Sequence, residues 1–116
     1  MLRRWLHGLY ETCALWFGLI LLGILSLGWS SLSVPLYYLL PRRWAVPLGR
    51  WGITTGFRFF LWALSRIGAC RFDFSALDSL RDQGPLIIAP NHPCMLDAVM
   101  VISRLPNLAC IMKADI

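Results

Sequence analysis

LWFGLILLGILSLGW, residues 15–29, contains no formal charge and is the strongest structural signal in the chain. It lies inside a longer uncharged run, residues 12–41, which would form about 45 Å of straight helix. The hydrocarbon core of a bilayer is about 30 Å thick, so this run is long enough to cross a membrane. We expect an inserted helix over roughly residues 12–33, a break at the Ser-rich and Pro-containing residues 30–35, and a short apolar piece that ends at Pro41.

The composition agrees with a membrane protein, because the chain is 58% hydrophobic and has a net charge of +5. The charge is divided unevenly. Residues 1–71 contain eight Arg against one Glu, net +7, whereas residues 72–116 contain three basic residues against five Asp, net −2. Basic charge beside apolar segments attracts anionic lipid headgroups, at about 1 kcal/mol per Lys or Arg near the surface. The sequence therefore predicts membrane lipid and not nucleic acid as a partner, and it indicates no oligomeric state.

Two questions about the uncharged run have alternatives. Arg3 and Arg4, with the small residues 31–33, also resemble a signal peptide, but the apolar run continues past any cleavage site there. Six Arg follow the run and two precede it, which predicts a cytoplasmic C-terminal part in an inner or plasma membrane. A monotopic insertion with both ends in the cytoplasm is the alternative topology.

A second segment, residues 50–68, has two distinct faces when it is plotted at about 100° per residue. One arc combines polar side chains with indoles: Arg50, Trp51, Thr54, Thr55, Arg58, Trp62, Ser65 and Arg66. The opposite arc is apolar, and Leu61 is the one misfit. This pattern predicts a helix in the plane of the membrane interface. Gly52 and Gly56 form a GxxxG on the apolar arc, which predicts close approach to the first helix, with plain small-residue packing as the alternative.

Residues 70–116 have the character of part of a soluble domain, which divides the chain into 1–69 and 70–116. The four cysteines, at positions 13, 70, 94 and 110, have no zinc-type spacing, so we expect free thiols in a reducing compartment. About 45 residues remain after the membrane segments, near the size below which chains rarely bury an adequate core alone.

Short apolar runs and amphipathic segments alternate in this second part. The runs typical of strands are 71–74, 85–90 and 108–113, and the segments typical of helices are 76–82 and 98–105. Strand, loop, helix and strand in this order predict a βαβ unit with a right-handed crossover. The predicted fold class is α/β: N-terminal membrane helices followed by the first part of an α/β domain, with an incomplete sheet.

PNHPCMLD, residues 90–97, lies at the predicted corner between a strand and a helix. Proline is favoured at the first position of a helix, so Pro93 makes His92 the predicted N-cap. Ligands gather at the carboxyl ends of strands in open α/β sheets, and this corner is such an end. Asp97, a little over one turn later, can meet one imidazole nitrogen and leave the other as a general base.

Other roles for these residues stay open on spacing alone. A His near a helix start with an Asp in the next turn is also typical of a capping or surface pair. His92, Cys94 and Asp97 are possible metal ligands, but a third well-spaced ligand is missing, so we predict no metal. A helix N-terminus lowers the pKa of a thiol, which leaves a nucleophilic Cys94 as a further alternative. Lys113 and Asp115 form no pattern and are expected to be solvated.

NHPCMLD resembles the NHxxxxD block of the glycerolipid acyltransferases, the family of 1-acylglycerol-3-phosphate (lysophosphatidic acid) acyltransferases. PLIIAP before it, AVMVISRLP after it and the final KADI extend the resemblance over about residues 70–116. The resemblance implies that His92 deprotonates the hydroxyl of a lysophospholipid or glycerol phosphate, with Asp97 as its orienting partner. It also implies a thioester of CoA or acyl carrier protein as acyl donor, no covalent enzyme intermediate, no metal and no other cofactor.

Two departures from the family pattern affect this expectation. Cys94 replaces the small hydroxyl residue that is common in the family. The family's later blocks, a glycine-and-arginine segment and a Glu-Gly-Thr-Arg block that resemble sites for the acceptor phosphate, would lie beyond Ile116. We therefore expect the N-terminal portion of a phospholipid-synthesising acyltransferase, truncated here. The alternative is a small, non-catalytic, membrane-anchored binding or interaction protein. Arg42, Arg43 and Arg50 could bind phosphate, but attraction to lipid headgroups is the favoured explanation for them.

Overall fold

The computed structural model describes residues 1–89, 91 and 96–109. These residues are 75% helical, and none of them belongs to a strand. The described residues form four helices, in the order α1 (Leu2–Leu39), α2 (Arg42–Arg66), α3 (Ser75–Leu80) and α4 (Leu96–Arg104). The described part of the chain is therefore a helical fold in which α2 packs against both α1 and α4.

The α/β prediction is wrong for the described residues. Residues 71–74 and 85–89 have no strand structure, and most of the third predicted strand, residues 110–113, lies outside the description. A strand needs hydrogen bonds from another strand, and a short apolar run does not specify that partner. Ile87, predicted to be buried in a sheet, is 95% exposed. The predicted βαβ unit is wrong with it, and α4 packs on a helix instead of a sheet.

The helical predictions for the same region are confirmed. α3 and α4 lie where the amphipathic segments predicted helices. Helical periodicity is a local property, so it identified these elements without a partner. The division of the chain into 1–69 and 70–116 stays a prediction.

α1 is one continuous helix, so the predicted break near Pro35 is wrong. Pro35 removes one backbone donor, but in an apolar environment each further helical hydrogen bond that opened would leave unsatisfied groups. Nearby, the Ser33 hydroxyl donates to the Ser30 carbonyl at 2.8 Å. The helix ends only at Leu39, because Leu40 precedes Pro41 and adopts the extended conformation, φ −102° and ψ 138°, that proline imposes on its predecessor.

α2 ends with a glycine motif that stops it sharply. Gly68 adopts a φ of 73°, a left-handed conformation that glycine tolerates. The Ala69 N–H donates to the Leu64 carbonyl and the Gly68 N–H to the Ser65 carbonyl, both at 3.1 Å. This pair of bonds is a Schellman motif, and it satisfies carbonyls that the end of the helix leaves without donors.

α1 and α2 form an antiparallel hairpin that turns at residues 40–41. Three contacts define the pairing: Trp29 with Gly52, Gly18 with Leu64, and the Tyr10 hydroxyl, which donates to the Ile67 carbonyl. Residues earlier in α1 contact residues later in α2, so the two helices are antiparallel and lie alongside each other. α2 also starts at Arg42 rather than at the predicted Arg50.

The close approach predicted for the GxxxG is confirmed at one of its two glycines. A Cβ atom on Gly52 would lie 2.1 Å from the Trp29 ring, so only glycine leaves room for this indole. A Cβ atom on Gly56 would have nothing within 4 Å. The two helices therefore approach through one glycine and one indole rather than through the whole motif.

The core is centred on α2. Phe60, Leu61 and Leu64 form the buried cluster, with exposures of 3%, 3% and 6%. Leu61 was the misfit on the helical wheel, and its burial follows from the second partner of α2. Apolar residues of α1, of the segment after α2, and of α4 complete the cluster: Leu21, Leu22, Leu25, Ile67, Ala69, Phe72, Phe74, Leu96, Val99 and Met100.

Candidate functional site

The structure places one of the two residues predicted to carry chemistry. Asp97 lies in the first turn of α4 and is half-buried. A carboxylate at this position interacts favourably with the positive end of the helix dipole. His92 and Cys94 lie outside the described residues, so the pairing of His92 with Asp97 stays a prediction. Asn91, which begins the motif, is exposed and has no regular secondary structure.

α2 holds the C-terminal end of α4 through two side-chain hydrogen bonds. The Thr54 hydroxyl donates to the Ile102 carbonyl at 3.4 Å, and the Arg58 Nε donates to the Ser103 carbonyl at 2.7 Å. The last carbonyls of a helix lack intrahelical donors, and a cation is favourable there because of the helix dipole. Arg58 therefore caps α4 from a neighbouring helix.

Thr54 and Arg58 were predicted to face lipid headgroups on the polar arc of α2, and they contact α4 instead. Thr54 is buried, with 6% of its surface exposed. A sequence signal for this contact exists. Thr54, Arg58, Leu61 and Ser65 recur at intervals of four, three and four residues, the spacing of one helix face. The apolar Leu61 within that polar row was the sign of a second packing face.

A cleft opens beside this contact, between α2, α4 and the segment before α3. Its volume is about 290 Å³. The lining combines two guanidinium groups and two hydroxyls with apolar and aromatic side chains: Arg58, Leu61, Trp62, Ser65, Phe72, Phe74, Ser103 and Arg104. Such a lining is suited to a ligand with an anionic group and an apolar part.

Arg104, the last residue of α4, is positioned on one wall of this cleft. Its guanidinium carbon lies 4.1 Å from the centre of the Phe74 ring, a cation–π contact. Its Nη1 lies 3.5 Å from Asp78 Oδ1, and both side chains of this ion pair are partly exposed. An exposed pair at this distance contributes little stability, so the stacking on Phe74 is the firmer constraint.

Asp73 lies between the two aromatic residues of the cleft and stabilises the turn that leads into α3. Its Oδ1 accepts the Ser75 N–H at 3.0 Å and the Ser75 hydroxyl at 2.7 Å. The backbone bond and then the hydroxyl bond hold the pKa of Asp73 below its ordinary value of 3.8. Because both bonds favour the carboxylate, they support the turn above that value and are lost as the pH falls through the lowered pKa.

The described residues contain no group of three His, Cys, Asp or Glu side chains that could hold a metal ion. The possible ligands His92 and Cys94 are not among those residues. Arg42, Arg43 and Arg50, considered above for phosphate, are exposed along the first half of α2.

α1 supplies a large apolar surface with little protein against it. In the described chain it is the one helix that is long and apolar enough to cross a membrane, and only 6% of its most apolar window is buried. The core helix of a soluble protein would be mostly covered by other elements. Signal sequences have a similar composition. Exposed apolar side chains on several sides of α1, such as Leu19, Ile20, Ile24 and Leu27, make it compatible with a membrane helix.

No protein-family model, no curated protein and no solved structure matches the chain. The class of protein therefore rests on the fold alone: a helical protein with a long apolar N-terminal helix that is compatible with a membrane.

Proposed function

We propose that the chain acts in phospholipid synthesis as an acyltransferase, moving a fatty acyl group from a thioester of CoA or acyl carrier protein to the hydroxyl of a lysophospholipid or glycerol phosphate. The observation that carries the proposal is NHPCMLD, residues 91–97, continuing into α4 with Asp97 in its first turn. The resemblance to the NHxxxxD block supplies the chemistry, although residues 85–89 before the block do not form the strand that was predicted there.

In the proposed reaction His92 accepts the proton of the acceptor hydroxyl. The oxygen then attacks the thioester carbonyl, the C–S bond breaks, and the leaving thiolate takes the proton from His92. Asp97 orients the imidazole and stabilises its protonated form. Acyl transfer in this sequence needs no metal and no covalent intermediate on the protein.

The packing of the helices supports a reaction at a membrane surface. Asp97 belongs to α4, α4 is bonded to α2 through Thr54 and Arg58, and α2 packs along α1. A membrane-embedded α1 would thereby hold the motif close to the bilayer. Both the proposed acceptor and the product are lipids, so this placement would reduce the distance over which they must leave the membrane.

The hairpin also supports one of the two topologies. The contact between Tyr10 and Ile67 brings the first part of α1 level with the end of α2. We infer an inner or plasma membrane location in which both ends of the hairpin, and the motif after it, lie on the cytoplasmic side.

The test is thioester-dependent acyl transfer to lysophosphatidic acid in membranes that express the 116-residue chain. Replacing His92 with Ala should reduce the rate by at least about a hundredfold, because general base catalysis contributes factors of about 10² to 10⁴. His7→Ala is the matched control, since His7 is exposed and pairs with Glu11 at 3.1 Å, far along the chain from the motif. Radiolabelled acyl product, separated by thin-layer chromatography, gives the rate.

Transfer that survives His92→Ala would contradict the base assignment. Absence of transfer from the unaltered chain would favour the second candidate, a non-catalytic membrane-anchored binding or interaction protein. The exposed surface of α1 would serve that function equally well.

A further inference from the structure

The cleft at the C-terminal end of α4 has a chemistry of its own, separate from residues 91–97. We propose that it binds the phosphomonoester headgroup of a membrane lipid of the phosphatidic acid class. The phosphate would lie between Arg58 and Arg104, and the adjoining aromatic wall would contact the glycerol and the start of the acyl chains. This binding does not depend on the acyl transfer proposed above.

The two guanidinium groups match a phosphomonoester in charge and in geometry. A phosphomonoester has a charge of about −1.5 to −2 at neutral pH and three acceptor oxygens, whereas a phosphodiester has a charge of about −1. Arg58 bonds to the Ser103 carbonyl through Nε, so its two terminal nitrogens take no part in that bond and its fork is held in one direction. Ser65 adds a hydroxyl to the same lining.

Phe74 holds the Arg104 side chain in place, and Asp78 neutralises its charge only weakly. Its guanidinium carbon lies 4.1 Å from the centre of the Phe74 ring. Its distance of 3.5 Å from Asp78 is longer than the 2.7–2.9 Å or so of a charge-assisted hydrogen bond. A phosphate in the cleft would therefore compete successfully with Asp78 for this guanidinium.

The position of the cleft along the hairpin favours a lipid over a soluble phosphate. The cleft uses residues 58–65 of α2, and this part of α2 packs against residues 18–25 of α1. Leu19, Ile20 and Ile24 at this level of α1 are exposed, so the acyl chains of a lipid would have apolar surface beside the cleft. Trp62, which lines the cleft and is 57% exposed, is the kind of side chain that concentrates at the boundary between hydrocarbon and headgroups.

The length of α4 separates this lipid from the one on which the motif would act. Asp97 and Arg104 lie at opposite ends of the helix, about 10 Å apart along its axis at 1.5 Å per residue. Three carbons of one glycerol unit are too short to place a hydroxyl at the first end and a phosphate at the second. The cleft is therefore assigned to a second lipid molecule.

The experiment measures equilibrium binding of a phosphatidic acid with a fluorescent acyl chain to the purified full chain in neutral detergent micelles. No acyl donor is present, so the readout is independent of catalysis. Arg104→Gln should weaken binding by about tenfold or more, which corresponds to about 1.4 kcal/mol. Asp78→Asn should strengthen it, because the competing carboxylate is removed. Arg43→Gln is the matched control, with the same loss of charge at the other end of α2.

Two further ligands distinguish the source of the phosphate. Phosphatidylglycerol with the same fluorescent chain, a phosphodiester, should bind at least about tenfold more weakly. Glycerol phosphate at equal concentration should fail to displace the lipid; displacement would overturn the assignment to a lipid in favour of a soluble ligand.

Equal losses of binding from Arg104→Gln and Arg43→Gln would show general attraction to basic charge and would overturn the site. Arg104→Lys, with circular dichroism of each variant, separates lost binding from lost folding: partial binding by a folded Lys variant is the expected result, and full binding by a folded Gln variant would overturn the proposal.

Discussion

α1 and α2 lie side by side, yet the more apolar of the two is the less buried. α1 contains most of the uncharged run, residues 12–39, and is almost entirely exposed, whereas α2 contains five arginines and holds the core cluster of Phe60, Leu61 and Leu64. Apolar composition thus reports which solvent a helix tolerates and not how many protein neighbours it has. A bare apolar helix is stable where hydrocarbon replaces water.

The arginines of α2 do not prevent its central position, because polar groups there have specific partners. Arg58 and Thr54 satisfy carbonyls at the end of α4, and these bonds accompany the burial of Leu61 on the same face. A buried polar group costs free energy only when it has no hydrogen-bond partner. The comparison predicts that charge introduced into α1 will change membrane insertion, whereas volume removed from α2 will change the free energy of unfolding.

The largest effect is expected from charge in α1. Ile20→Asp combined with Ile24→Asp places two carboxylates on exposed positions of the uncharged run. Each Asp near the centre of a membrane helix costs about 3 kcal/mol, so the doubly substituted chain should leave the membrane fraction. Extraction of membranes with alkaline carbonate measures this partition.

Ile20→Leu with Ile24→Leu is the matched control and should stay in the membrane pellet. If the double Asp variant also resisted carbonate extraction, the exposed surface of α1 would not be facing hydrocarbon, and the contrast between the two helices would need another explanation.

A smaller effect is expected from volume removed at the face that α2 turns to α4. Leu61→Ala should lower the free energy of unfolding by about 2–5 kcal/mol, because it leaves a cavity in the core cluster. Leu27→Ala, the same change at a position of α1 that is 72% exposed, should change it by less than about 0.5 kcal/mol. Denaturant titration in neutral detergent, followed by circular dichroism, gives both values. Similar losses of unfolding free energy from Leu61→Ala and Leu27→Ala would contradict the difference in burial between α2 and α1.

The smallest effect is expected where the two helices touch. Gly52→Ala should destabilise the chain by about 1–3 kcal/mol, because the added methyl group overlaps the Trp29 ring. Gly56→Ala, four residues along the same helix, meets nothing and should stabilise it by about 1 kcal/mol through helix propensity alone. Thermal unfolding in detergent measures the two shifts.

A background of Trp29→Ala provides the control for Gly52. In that background Gly52→Ala should become neutral or stabilising, since the indole that it overlaps is gone. A cost that persisted without Trp29 would show that the close approach of the two helices is not the cause.

Local elements of the fold could be predicted from the sequence, and their assembly could not. The uncharged run predicted a membrane-compatible helix, and amphipathic spacing predicted α3, α4 and most of α2. The sheet was wrong because residues 85–89 are apolar without specifying a partner, and pairing between strands is a long-range property. The break at Pro35 was wrong because one proline removes a single backbone donor, and the hydrogen bonds on either side of it still hold α1 together.

The candidate site divides in the same way. The motif at residues 91–97 is visible in the sequence, and Asp97 lies in the first turn of α4. The cleft between Arg58 and Arg104 is not visible there, since 45 residues separate Arg58 from the Ser103 carbonyl that orients it. The wheel placed Arg58 on a polar arc without showing what that arc contacts.

The sequence by itself determined the apolar character of α1, the presence of helices at α2, α3 and α4, and the motif that carries the proposed chemistry. These properties depend on the order of neighbouring residues, which hydrophobic periodicity and capping residues report directly. The tertiary structure alone decided that α2 is the centre of the molecule, that its polar face holds α4, and that two arginines share one cleft. These relations depend on contacts between residues far apart in the chain, and a side chain's intrinsic polarity does not specify which distant group will satisfy it.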